Sequence, residues 1–176
     1  MQSTKASLRY AKAIFNLAKE KGAVDSVLSD LNVLSGIIAE KTEFFSLIHD
    51  PTIKHKHKIK LFSKAFGSAL HSITIKFVTL VFNKGREPIL FQIINNYKEL
   101  YNKEKGIVLA EIISSKPLTQ DVKEVLKQKI SPSGKVKLKE TIDENILGGF
   151  IINSEDLQYD ASVRKKINNV KRAFKL

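Results

Sequence analysis

The side chains able to do chemistry are few, and their spacing does not suit it. Four histidines stand at His49, His55, His57 and His71, and only His55 and His57 are close. Two residues apart on a helix, they occupy different faces, whereas a metal-binding pair needs three- or four-residue spacing. Lys54, Lys56, Lys58, Lys60 and Lys64 surround that pair and would repel a cation, so no metal is expected. The adjacent acids Asp143-Glu144 and Glu155-Asp156 have the side chains for general acid–base work, but both fall in predicted turns with no partnering histidine. With no cysteine, thiolate catalysis, disulfides and cysteine zinc sites are excluded, and a reducing, intracellular setting is expected. The paired Gly148-Gly149 sits between Ile146-Leu147 and Phe150-Ile151-Ile152 and matches neither phosphate-loop pattern. It reads as a bulge or a close backbone approach in a sheet. No catalytic residue, cofactor or metal site is expected.

The elements that carry these residues fall into two groups. A chain of 176 residues, 43% apolar, suffices for one ordinary domain or two small ones. Residues 4–104 keep helical spacing almost throughout, as in Leu8, Ala11, Phe15, Ala18, then Val24, Val27, Leu31, Leu34, Ile38, then Phe44, Leu47, Ile48. Breaks at Gly22, Asp50-Pro51, Gly67-Ser68 and Lys84-Gly85 predict five helices, and a sixth runs from Pro88 to about Glu104. Connections this short favour antiparallel neighbours, so a compact six-helix bundle is expected over 1–105. From Gly106 the pattern changes. Residues 107–113 form a β-branched run, 136–139 alternate at period two, and 147–153 are entered through the paired glycines, predicting three strands. Thr119 is placed to cap a helix over 120–130, and Asp160 another over 161 to about 174. The expected fold is mainly α, a six-helix bundle followed by a small α/β domain over 106–176. No apolar run is long enough to span a bilayer, and the basic N-terminus has no signal-peptide core.

A net charge of +12 raises nucleic acid as a partner. Composition weighs against it: of 30 basic residues only Arg9, Arg86, Arg164 and Arg172 carry the guanidinium fork suited to phosphate and base edges. The excess is also spread over both parts of the chain. In the densest patch, Lys56, Lys60 and Lys64 form one stripe opposite Ile59, Leu61, Phe62 and Phe66, which describes an amphipathic helix with a wet face.

The first helix has more apolar surface than a bundle position requires. At about 100° per residue its charges, Lys5, Arg9, Lys12, Lys19 and Glu20, gather in one arc and leave an apolar arc about 220° wide. A bundle helix needs a stripe of only about 100°. Leu8, Ala11, Phe15 and Ala18 can face the core while Tyr10, Ala13 and Leu17 point elsewhere, with Ile14 between. The fifth predicted helix shows the same surplus, with Phe77, Val78, Leu80, Val81 and Phe82 surrounding its axis. Either both helices are central in the bundle, or together they wall a groove for an amphipathic partner helix.

Several segments together resemble one family. They are RYAKAIFNLAKEKG, the Asp50-Pro51-Thr52-Ile53 junction, Asn83-Lys84-Gly85-Arg86, YKELYNKEKGIVLAEIISSKPLT, IDENILGGFIINSE and YDASVRKKI. In order and along essentially the whole chain, they are similar to the delta subunit of F-type ATP synthase, whose mitochondrial relative is the oligomycin sensitivity-conferring protein. Asn153 departs from the pattern, where a basic residue is common. The resemblance implies a non-catalytic stator subunit, one copy per complex, with its N-terminal domain on the catalytic head. There the groove between the first and fifth helices would receive the N-terminal helix of an alpha subunit, through Tyr10, Ala13, Ile14, Leu17, Phe77, Val78 and Val81. The C-terminal domain would join the b subunits of the peripheral stalk through Val163, Ile167, Val170 and Phe174, unless those four pack on the sheet instead. It implies no cofactor, no nucleic acid and no membrane insertion, and a peripheral position at the cytoplasmic face of a bacterial plasma membrane; a processed organellar chain would look alike. Leu17→Asp or Phe77→Asp is expected to abolish alpha binding with helicity intact.

Overall fold

The computed structural model describes residues 4–40, 46, 50, 52–131, 135–154 and 158–173, and these divide between two compact units, Met1–Tyr101 and Asn102–Leu176. Outside them fall the helix expected around Phe44, Leu47 and Ile48, together with His49, Pro51, Glu155, Asp156 and Phe174.

The first unit is helical. Its elements are α1 (Lys5–Glu20), α2 (Val24–Ala39), α3 (His55–Phe66), α4 (Ser72–Asn83), a 3-10 turn (Glu87–Ile89) and α5 (Leu90–Glu104), whose last residues pass into the second unit. The fourth to sixth predicted helices are therefore α3 to α5. Thr4 starts α1 by accepting the Ser7 N–H on its hydroxyl, and Gly22, at φ +64°, ends it in the left-handed conformation that glycine adopts without strain. The core collects Ala11, Phe15 and Ala18 of α1, Val27 and Leu31 of α2, Phe62 of α3, Val78, Val81 and Phe82 of α4, and Ile93, Ile94 and Tyr97 of α5. Phe15 meets Tyr97 edge-on at 5.4 Å between ring centres, and Phe62 meets Phe82 likewise at 5.6 Å. The Tyr97 hydroxyl donates to the Val24 carbonyl, so this large buried ring keeps its polar end satisfied.

The expected core faces are corrected at three positions. Leu8 is exposed, because it borders the charged arc of α1 beside Lys19. Leu61 is also exposed, while Lys58, expected in the solvated lysine patch, is buried. At about 100° per residue Lys58 lies beside Phe62 on the core face, and Leu61 beside Lys64 on the wet one.

The second unit is a four-stranded sheet in the order β2-β1-β3-β4, with β1 Val108–Ser114, β2 Val136–Ile142, β3 Phe150–Ser154 and β4 Gln158–Asp160. β1 and β2 pair in parallel, joined through α6 (Gln120–Ile130), whereas β3 runs antiparallel to both β1 and β4. Ala110, Ile112 and Ile152 pack with Leu126 of α6 to form its core. The short β4 is a fourth strand beyond the three expected: its Gln158-Tyr159-Asp160 has no apolar alternation to read. Asp160 does not cap the last helix, α7 (Val163–Ala173), directly. Its carboxylate takes the Ser162 N–H, and the Ser162 hydroxyl oxygen accepts the N–H of Lys165. Thr119 precedes α6 as expected but makes no side-chain cap.

Gly148 and Gly149 stand at φ +146° and +80°, just before β3. The Gly148 carbonyl accepts the Val163 N–H, the Phe150 carbonyl accepts the Ala161 N–H, and a Cβ at Gly149 would collide with the Ala161 carbonyl oxygen. The paired glycine is thus a close backbone approach, fastening the start of α7 to the sheet.

Candidate partner-binding groove

A groove of about 670 Å³ opens between α1 and α4. From α1 it is lined by Arg9, Tyr10, Ala13, Ile14 and Leu17, with Lys21 just past its end; from the start and face of α4 by His71, Ser72, Ile73, Lys76, Phe77 and Leu80. Ile14 and Phe77 form a nearly solvent-free floor, while Leu17 and Leu80 form lips that are 42% and 47% exposed. The Tyr10 and Phe77 rings meet edge-on at 6.4 Å and tie the two walls together.

Each wall is held from behind. On α1, the Ser7 hydroxyl oxygen accepts the Asn96 amide of α5 at 3.0 Å. On α4, Asp30 reaches across from α2 and takes both the His71 backbone N–H at 2.8 Å and the Thr74 hydroxyl at 2.6 Å, while the His71 ring accepts the Ile73 N–H. A carboxylate at these first-turn donors satisfies groups that an α-helix leaves unpaired and complements its dipole.

Of the seven residues expected to meet an alpha helix, the groove brings together Tyr10, Ala13, Ile14, Leu17 and Phe77. Val78 and Val81 do not line it: both are 0% exposed in the core, and this corrects their assignment. On α4 the arc that opens runs through Ile73, Lys76, Phe77 and Leu80, whereas Val78 lies roughly 160° from Leu80 and Val81 about 100°. An apolar helix surface shows that a surplus exists without showing which arc its neighbours leave bare. Ile73 is accordingly a groove residue that spacing missed, together with the rim cations Arg9, Lys21 and Lys76, while Leu80 belonged to the apolar surplus but was not assigned to the groove. Phe77→Asp is also corrected as a probe, since Phe77 is only 7% exposed and a carboxylate there would be buried.

In the second unit, Val163, Ile167 and Val170 are exposed at spacings of four and three along α7 and take no part in the sheet core. Arg164, Lys165, Lys166, Lys171 and Arg172 fill out the same helix, which carries no acid. Asp143 is a turn residue: its carboxylate accepts the Asn145 backbone and side-chain N–H groups. Among the described residues, no cluster of three or more histidine and acidic side chains is placed to hold a metal, and no helix is long and apolar enough to cross a membrane.

Residues 6–174 match the model of the family described as ATP synthase delta (OSCP) subunit. The chain is 31% identical to the ATP synthase subunit delta of Cytophaga hutchinsonii, over 99% of this chain and 96% of that protein. It is 32% identical to that of Carboxydothermus hydrogenoformans, over 99% of both. A chain in the cryo-EM structure of the Toxoplasma gondii mitochondrial ATP synthase hexamer has the same fold, at a TM-score of 0.75 and 20% identity, over 98% of this chain and 99% of that one. A chain of the Polytomella F-ATP synthase aligns over 60% of this chain and 93% of its own, with a TM-score of 0.54 and 23% identity. A full-length match to the family model, with relatives above 30% identity at both chains' full extent, places this chain in the ATP synthase delta (OSCP) subunit family, a structural, non-catalytic component of the peripheral stalk.

Proposed function

We propose that this subunit joins the alpha/beta catalytic head to the b subunits of the stalk, the first unit gripping the N-terminal helix of an alpha subunit in the α1/α4 groove. The observation that carries this reading is the groove itself: an apolar trough with exposed leucine lips, walled by two helices that the chain's own core leaves half covered. An amphipathic helix laid there would bury Leu17, Leu80 and Tyr10, and such contacts hold by burial rather than by surface ion pairs worth about 0–1 kcal/mol each. A stator that resists rotor torque requires a long-lived contact of this kind.

The six-helix form of the first unit, with the segment around Phe44 to Ile48 as its third helix, belongs to the same reading. So do the division of labour between residues 1–105 and 106–176, the single copy per complex, and the peripheral position at the cytoplasmic face of a bacterial plasma membrane. On the second unit the b subunits are assigned to the α7 stripe of Val163, Ile167 and Val170, continued by Phe174.

The test is calorimetric titration of the chain with a peptide spanning the alpha subunit's N-terminal helix. Leu17→Asp and Leu80→Asp change exposed positions, so both variants should keep native helicity while binding weakens at least about 100-fold. Unchanged binding in both would overturn the groove assignment.

A further inference from the structure

We propose that the helix seated in this groove is acidic along its flanks, and that Arg9, Lys21 and Lys76 set how fast and in which register it docks. The inference rests on the groove reading and specifies the chemistry of the occupant. Three cations line the trough and no acidic side chain does. The carboxylate of Asp30 is not part of the lining and accepts the His71 backbone N–H and the Thr74 hydroxyl. None of the three cations is ion-paired among the described residues, so each is available to a carboxylate of the occupant.

Their placement follows the long axis of the groove. Arg9 and Lys21 lie on one wall, separated by about 18 Å of helix, and Lys76 lies on the other. A three-turn helix with an apolar stripe for Ile14, Leu17 and Phe77 would span that length, and carboxylates beside the stripe would meet Arg9 near one end and Lys21 near the other. All three cations are exposed, so the pairs add little to equilibrium affinity. Their field nevertheless reaches about 8 Å at physiological salt, which is where charge acts on encounter and orientation rather than on dissociation.

The experiment is stopped-flow association of the full chain with the alpha N-terminal peptide, and with the same peptide after every Asp and Glu is changed to Asn or Gln. The Arg9→Gln/Lys76→Gln double variant is measured alongside, with Leu17→Asp as the groove control. Neutralising either partner should slow association about three- to tenfold at low salt, with dissociation changed less than about twofold, and the difference should vanish near 0.5 M salt. Equal association rates for the charged and neutralised peptides, or a peptide without flanking carboxylates binding just as fast, would overturn the proposal. If Leu17→Asp abolishes binding while the charge changes do nothing, the groove stands and only its charge preference falls. If Leu17→Asp also binds normally, the groove reading itself falls.

Discussion

At Glu87 a single buried carboxylate holds two basic side chains, Lys58 Nζ at 3.3 Å and His55 Nδ1 at 3.0 Å, and so fastens the start of α3 to the turn before α5. Burial pushes this carboxyl up, but its own backbone N–H, the His55 ring and the Lys58 ammonium outweigh that and hold it below the ordinary carboxylate value. Because the folded value is depressed, the stabilisation is fully present above the ordinary value of 4.5 and is lost as pH falls through the lowered one. Glu87→Gln leaves the Lys58 charge buried without its counter-charge and should cost about 3 to 5 kcal/mol in urea unfolding near neutral pH, the gap from the parent chain shrinking in acid. Gly149 makes a second single-residue case. Alanine there combines a left-handed backbone with a Cβ driven into the Ala161 carbonyl oxygen. Gly149→Ala should destabilise the second unit by about 3 kcal/mol or more in denaturant melts. From residues alone Gly148-Gly149 was legible as a bulge or a close backbone approach, and the Ala161 carbonyl beside Gly149 decides for the second. The role of Glu87 was not, since its partners stand 29 and 32 positions away and a lone acid between Arg86 and Pro88 looks like any turn residue.

Among the elements, α4 matters most to the groove, and its first turn is fixed from α2. Asp30→Ala removes the acceptor for both the His71 N–H and the Thr74 hydroxyl and should cost about 2 kcal/mol in thermal unfolding, with faster hydrogen exchange at amides 72–75. Asp30→Asn keeps an acceptor oxygen and should recover part of the loss. The helices themselves were legible because 3.6-residue spacing and glycine stops are local: α6 has the bounds expected for it, α1 stops at Gly22 as expected, and α2 carries the apolar spacing of Val24 to Ile38. The groove's α4 wall was less so. Five apolar residues around one axis are compatible with several faces, and only the placement of Phe62, Tyr97 and the α2 leucines decides that Val78 and Val81 turn inward and Leu80 outward.

For the whole molecule, the two proposed attachments should separate genetically. Ile167→Asp/Val170→Asp changes exposed residues of α7 and should lose the b subunits from a co-purification while alpha is retained; Leu17→Asp should do the reverse. Both captures should survive about 0.5 M salt, because apolar burial is not screened by ions. The sequence by itself determined the helical class of the first part, the sheet of the second, the family, and the excess of apolar surface on α1, all of which follow from local spacing or from motifs contiguous along the chain. Tertiary structure alone decided which arc of α4 opens, that Lys58 goes inside onto Glu87, and that Asp30 anchors the groove wall. Each of these depends on which surfaces from distant segments are pressed together, and periodicity along one helix carries no record of its neighbours.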